Sequence, residues 1–175
     1  WHTISDPVSI TTKPGTVTGL TVDKTTTKSI SLSWNPQVNI DGYILCVWNK
    51  NDAAWDRVVK IADPYTYSYT HTGLKAGTEY SYSVVAYYKS GSSYKYTGRT
   101  SALSTYTGPA APDNIIVSGR TEASVKLSWR KVNRASGYLI YVYDNASKNY
   151  NRVGYGIGSY LVTVFSSTES SGINK

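Results

Sequence analysis

Gly73-Leu74-Lys75-Ala76-Gly77-Thr78-Glu79-Tyr80 opens on a lone apolar residue, turns at Lys75-Ala76-Gly77 and runs into a tyrosine. From there Tyr80, Tyr82, Val84 and Ala86 occupy every second position. A period of two marks a strand with one face buried. The same alternation recurs upstream. Ile30, Leu32 and Trp34 point one way while Ser29, Ser31 and Ser33 point the other, and Tyr43, Leu45 and Val47 form a further inward set. Asp41-Gly42, Asp63-Pro64 and Ser90-Gly91 supply turns between them. Short strands at this spacing predict a β-sandwich or barrel.

Composition agrees. The 175 residues include 17 Tyr and 5 Trp but 1 Phe and no Met, with long runs of Thr and Ser. These residue types suit a pleated, half-buried surface. No stretch keeps apolar residues at helical spacing for three turns, so the chain reads as all-β. No apolar run approaches the ~18 residues of a membrane span, so no membrane insertion is expected within this segment. The opening residues lack the charged head and apolar stretch of an export signal, and such signals are expected to lie outside this stretch. A net charge of +7 raises nucleic-acid binding. Its basic residues are scattered, however, and the densest group, Arg130-Lys131 with Arg134, falls in an expected loop. A nucleic-acid surface gathers such residues on one face, so no nucleic-acid partner is expected. Cys46 is the lone cysteine, which rules out an internal disulfide and a cysteine-built zinc site.

A shift of 95 residues lays the chain on itself, carrying Leu32-Ser33-Trp34 onto Leu127-Ser128-Trp129 and Gly42-Tyr43 onto Gly137-Tyr138. Val47 falls on Val142, Trp55 on Tyr150, Arg57-Val58 on Arg152-Val153 and Pro14 on Pro109. One gapless offset divides the chain into residues 1–13, the last strand of a preceding repeat; residues 14–108, a complete repeat; and residues 109–175, an incomplete one. Residues 160–165 can form a fifth strand of that last repeat. Its final two strands are not found, so the reading expects either a longer parent chain or strands supplied by a neighbour. Pro109 and Pro112 make the junction semi-rigid.

These residues carry a family resemblance. Pro14, the strand ending in Trp34, the Gly42-Tyr43 opening and Gly73–Tyr80 resemble a fibronectin type III domain, with Ala76 where the family usually has proline. The resemblance covers residues 14–108 fully and 109–153 in part. It implies tandem immunoglobulin-like β-sandwiches, each built as two packed sheets. It implies structural roles for Trp34 and Trp129, for Leu74 as a plug at one end, and for Tyr80 as a tyrosine corner whose hydroxyl bonds back to nearby backbone. The same offset puts Glu169 and Lys175 at the corner positions of the last repeat, where neither can serve. The loop at Tyr96-Thr97-Gly98-Arg99 lacks the Arg-Gly-Asp by which some family members bind integrin. The Tyr-, Thr- and Lys-rich style resembles modules of bacterial surface proteins.

Catalytic chemistry has little to stand on. His2 and His71 are the two histidines, far apart in sequence, and His71 reads as a core residue at the sandwich edge. No Gly-x-Ser-x-Gly elbow surrounds a serine. Gly154-Tyr155-Gly156-Ile157-Gly158 lacks the lysine and helix of a phosphate loop and reads as a flexible connection. No enzyme activity, cofactor or metal is expected.

One face invites contact. If Tyr43, Leu45 and Val47 point inward, then Ile44, Cys46 and Trp48 point outward. Val85 and Tyr87 join them from the neighbouring strand, and Trp55 and the loop residues Tyr94 and Tyr96 lie nearby. Leu139, Tyr141 and Tyr143 hold the matching places in the second repeat. Ile44, Trp48, Trp55, Val85, Tyr87, Tyr141 and Tyr143 therefore form the candidate interaction face, since contiguous exposed apolar strips mark binding sites. The expected function is a non-catalytic structural and adhesive module of an extracellular or cell-surface protein, acting as spacer and protein-interaction unit. Its partners would be neighbouring repeats or subunits, or a cell-surface protein or polysaccharide. The alternatives are an accessory region of a secreted carbohydrate-active enzyme, and a filament subunit completed by strand exchange with residues 1–13 as the donated strand.

Overall fold

The computed structural model describes residues 12–122, 124–158 and 160–164. The chain divides into two compact units, residues 1–108 and 109–175. Every regular element among the described residues is a strand, and none of them is a helix long and apolar enough to cross a membrane.

The first unit contains β1 (Thr21–Thr25), β2 (Ser29–Ser33), β3 (Gly42–Asn49), β4 (Ala54–Ile61), β5 (Ser68–Thr72), β6 (Glu79–Ser90), β7 (Ser93–Tyr96) and β8 (Leu103–Tyr106). β1-β2-β5 make one antiparallel sheet; β4-β3-β6 make the other, with β7 and β8 both paired along the free side of β6. Between the sheets lie Ile30, Leu32, Tyr43, Leu45, Tyr82, Val84 and Ala86, all closed to solvent. Each such aliphatic side chain stabilises the sandwich by about 1.5–3 kcal/mol. Trp34 meets Tyr43 edge to face at 5.4 Å, and the Tyr43 hydroxyl accepts from the Gln37 amide at 2.9 Å. Leu74 is buried at one end of the core, and the Tyr80 hydroxyl accepts from the Lys75 amide at 3.0 Å.

The second unit contains β9 (Ile116–Arg120), β10 (Ser124–Ser128), β11 (Tyr138–Asp144), β12 (Asn149–Gly156) and β13 (Tyr160–Val164), arranged as a β13-β10-β9 sheet and a β11-β12 pair. Gly154 and Gly156, expected in a flexible connection, lie inside β12. Gly156 opposes Tyr138 and Gly154 opposes Ile140, so ladder hydrogen bonds hold this stretch extended. Among the described residues its core is Trp129, Val132 and Tyr138, packed by Leu127, Ala135 and Ile140. A cavity of about 320 Å³ opens beside it, lined in part by Ile115, Leu127, Trp129 and Ile140.

Local geometry repeats at the sequence offset. Tyr138 faces Trp129 edge to face at 5.1 Å and accepts from the Val132 amide at 2.8 Å, as Tyr43 does with Trp34 and Gln37. The bulge at Val22/Lys24 recurs opposite Lys126/Leu127, and the Leu45/Cys46 bulge recurs at Ile140/Tyr141. Positive φ falls on Gly19 and Asn114, on Asn39 and Arg134, and on Ala53 and Lys148. Residues 1–11 of the segment expected to end a preceding repeat, and the positions Glu169 and Lys175, lie outside the described residues.

A cationic and aromatic sheet face as candidate functional site

The outer surface of β4-β3-β6 is built by register. Across β3 and β4, Ile44 opposes Lys60, Cys46 opposes Arg57, and Trp48 opposes Trp55. Across β3 and β6, Ile44 opposes Val85 and Cys46 opposes Ser83. Because β3 and β4 slip past each other by one residue at the bulge, Arg57 and Lys60 both reach the same face as Cys46 and Ile44.

Trp48 and Trp55 meet edge to face at 5.4 Å, and Trp48 keeps 36% of its surface exposed. Arg99 lies over the Trp55 ring at 5.6 Å and donates to the Ser83 hydroxyl at 3.3 Å. At the other end the Lys60 ammonium sits 4.4 Å from the Tyr87 ring centroid and 4.8 Å from that of Tyr94. Ile44, Cys46, Trp55, Arg57, Val85, Tyr96, Thr97 and Arg99 together bound a recess of about 340 Å³.

The face differs from the expected open strip. Val85 and Tyr87 are 7% and 2% exposed, and Cys46 is also buried. They still belong to the outer surface, but the side chains of Lys60, Tyr94 and the Arg99 segment fold over them. Tyr94 and Tyr96, expected in a loop, belong to β7, which pairs with β6 and brings Tyr94 edge-on to Tyr87 at 5.5 Å. Burial and the neighbouring Tyr94, Asp41 and Tyr96 push the Tyr87 phenol above its ordinary range. The middle of β6 is therefore covered on both sides, where alternation predicts one.

Between β7 and β8 the strand is interrupted, and threonines bridge the gap. Thr97 Oγ1 accepts from the Ala86 amide and Thr100 Oγ1 from the Val84 amide, each at 3.1 Å. Their own amides donate to the Ala86 and Val84 carbonyls. This interruption places Arg99 over the sheet.

In the second unit, Tyr143 and Tyr150 pair at 5.1 Å and Arg152 opposes Tyr141. Tyr141 and Tyr143 are exposed. The candidate residues Ile44, Trp48, Trp55, Val85 and Tyr87 thus gather on one face of the first unit, and Tyr141 and Tyr143 on the second. Lys60, Arg57 and Arg99 were missing from the expected site. For Arg57 the signal was present, since the offset carries Arg57 onto Arg152. For Lys60 and Arg99 only the bulge and the strand interruption reveal it.

His71 is held inside the first unit, its Nδ1 3.0 Å from the Tyr82 hydroxyl. Burial lowers its pKa below that of an ordinary histidine. Among the described residues, no three of His, Cys, Asp and Glu converge as a metal site.

Two sheets in this strand order, closed by the Tyr80 corner, match a known architecture. The family profile of the fibronectin type III domain matches residues 15–102. The chain belongs to the fibronectin type III family. A fibronectin type III structure, the two-domain segment from chicken tenascin, superposes with a TM-score of 0.50 at 26% identity over 85% of this chain and 82% of that one. A Kelch domain-containing protein of Saccharolobus solfataricus is 30% identical over 144 residues, 82% of this chain and 18% of its own length. A poly(3-hydroxybutyrate) depolymerase of Ralstonia pickettii is 39% identical over 69 residues, 39% of this chain and 12% of its own length. The chain therefore spans less than a fifth of either relative.

Proposed function

We propose that this fibronectin type III chain is a non-catalytic spacer and adhesive segment of an extracellular or cell-surface protein, with residues 14–108 and 109–175 as successive repeats. The Trp48–Trp55 pair, with Trp48 exposed and Trp55 half-buried, carries the adhesive part of the reading. A tryptophan held edge to face on a rigid sheet, beside cations, is the kind of group that dominates contact energies. Recurrence of the bulges, the positive-φ positions and the Trp–Tyr core pair at one offset supports the repeat assignment. The partner is a neighbouring repeat or subunit, or a surface protein or polysaccharide.

Sedimentation velocity at rising concentration, with and without a candidate partner, tests the contact. Trp48→Ser should weaken association while leaving the circular dichroism unchanged. Unchanged association with an intact fold would remove this face from the reading. The intact mass of the native protein tests the spacer role, which requires a value well above 19.2 kDa.

A second reading is supported by the similarity to the depolymerase over 69 residues. There the segment would be an accessory region beside a catalytic domain acting on a polymer. Sequencing the flanking regions of the native protein separates the two.

A further inference from the structure

The adhesive reading leaves the ligand open, and the outer face of β4-β3-β6 narrows it. Arg57, Arg99 and Lys60 all lie on that face, and none forms an ion pair among the described residues. Lysine and arginine on a domain surface are usually interspersed with carboxylates. Here Lys60 and Arg99 stand over rings, and Arg57 lines the recess beside Ile44, Cys46 and Val85. A guanidinium beside a low-dielectric floor binds carboxylate more strongly than one in open water, and its planar fork can hold both oxygens. The recess is about 340 Å³, the size of a small cyclic group rather than of a folded surface.

The pattern also repeats. The Tyr143–Tyr150 pair with Arg152 stands where Trp48–Trp55 and Arg57 stand in the first unit. A surface motif presented once per repeat rewards a ligand that is itself repetitive, because linked weak sites gain avidity. The face lies away from the open edge of β4, so a bound polymer would rest on side chains and not extend the sheet.

We propose that this face binds an anionic polysaccharide. Uronate carboxylates sit between Arg57 and Arg99, and the apolar face of a sugar ring rests on the exposed ring of Tyr96. This deepens the adhesive assignment and rests on it.

The test is retention of the full chain on immobilised polygalacturonate, with dextran as neutral polymer and poly-glutamate as acidic peptide. The expected result is retention on polygalacturonate alone, weakening as salt screens the charges. Arg57→Gln with Arg99→Gln should lower affinity about tenfold or more, as expected for two lost charge-assisted bonds. Lys24→Gln with Lys28→Gln, which removes the same charge from the other side of the sandwich, should leave affinity nearly unchanged. Circular dichroism of each variant confirms the fold. Equal losses in both double variants would reduce the effect to net charge and overturn the proposal. Equal or tighter retention on poly-glutamate would assign the face to acidic protein. Absence of retention on polygalacturonate would overturn the ligand class while the Trp48→Ser association result still decides the adhesive reading.

Discussion

Tyr80 and His71 share a corner of the first sandwich and do different work there. The Tyr80 hydroxyl takes a hydrogen bond from Lys75 across the turn that closes the sheet. Tyr80→Phe should cost about 0.5–1.5 kcal/mol, the worth of one such bond, read as a lower urea midpoint with unchanged slope. His71 is neutral in its place, because burial disfavours its charged form. Its folded pKa lies below its unfolded one, so below about pH 6.5 the unfolded chain takes up a proton that the folded chain resists. Stability should therefore be flat from about pH 7 to 9, short of the unfolded tyrosine range, and fall as the pH drops from about 7 to 5. His71→Gln should flatten that slope, as followed by urea midpoints across the range. Gly42 is a steric necessity, since a Cβ there would lie 2.0 Å from the Ile61 carbonyl oxygen and 2.8 Å from the Tyr87 hydroxyl.

Among the elements, the interrupted edge of β6 is the most dependent on side-chain chemistry. Where β7 stops, backbone pairing gives way to Thr97 and Thr100, whose hydroxyls receive the Ala86 and Val84 amides. Thr100→Val keeps the shape but leaves the Val84 amide without its side-chain acceptor. The expected loss is about 1–3 kcal/mol in chemical denaturation, larger than for a surface threonine. The same interruption puts Arg99 over Trp55. Stability and ligand contact are thus coupled along one short segment, and Thr100→Val should also weaken polygalacturonate retention, read on the same column.

For the molecule as a whole, the two units are unequal. Among the described residues, the first buries eleven core residues in one cluster and the second three. Small cores leave little margin over the conformational entropy of ordering the chain. Denaturation should therefore show two transitions, with residues 109–175 melting first. Trp129 reports that unit, so Trp129→Phe should remove the early fluorescence change and leave the later one. A chain ending at Gly108 should keep the later transition alone. Gly108 must be retained, since its amide donates to Thr26 and its carbonyl accepts from Gly77.

Much of the architecture was legible in the sequence. Period-two alternation, turn residues and the 95-residue offset mark strands, their inward residues and the positions of Trp34, Trp129, Leu74 and Tyr80. These signals are local, because a strand's two faces and a turn's backbone are set by neighbours in the chain. The covering of the outer sheet face was not legible. Val85 and Tyr87 alternate as outward residues and yet are buried, and Arg57, Lys60 and Arg99 converge from separate elements. A one-residue bulge in β4 and a broken edge strand decide that convergence, and both arise from pairing between segments distant in sequence. The sequence by itself determined the sandwich and its core; only the tertiary structure decided which cations stand among which rings, because that depends on register across strands.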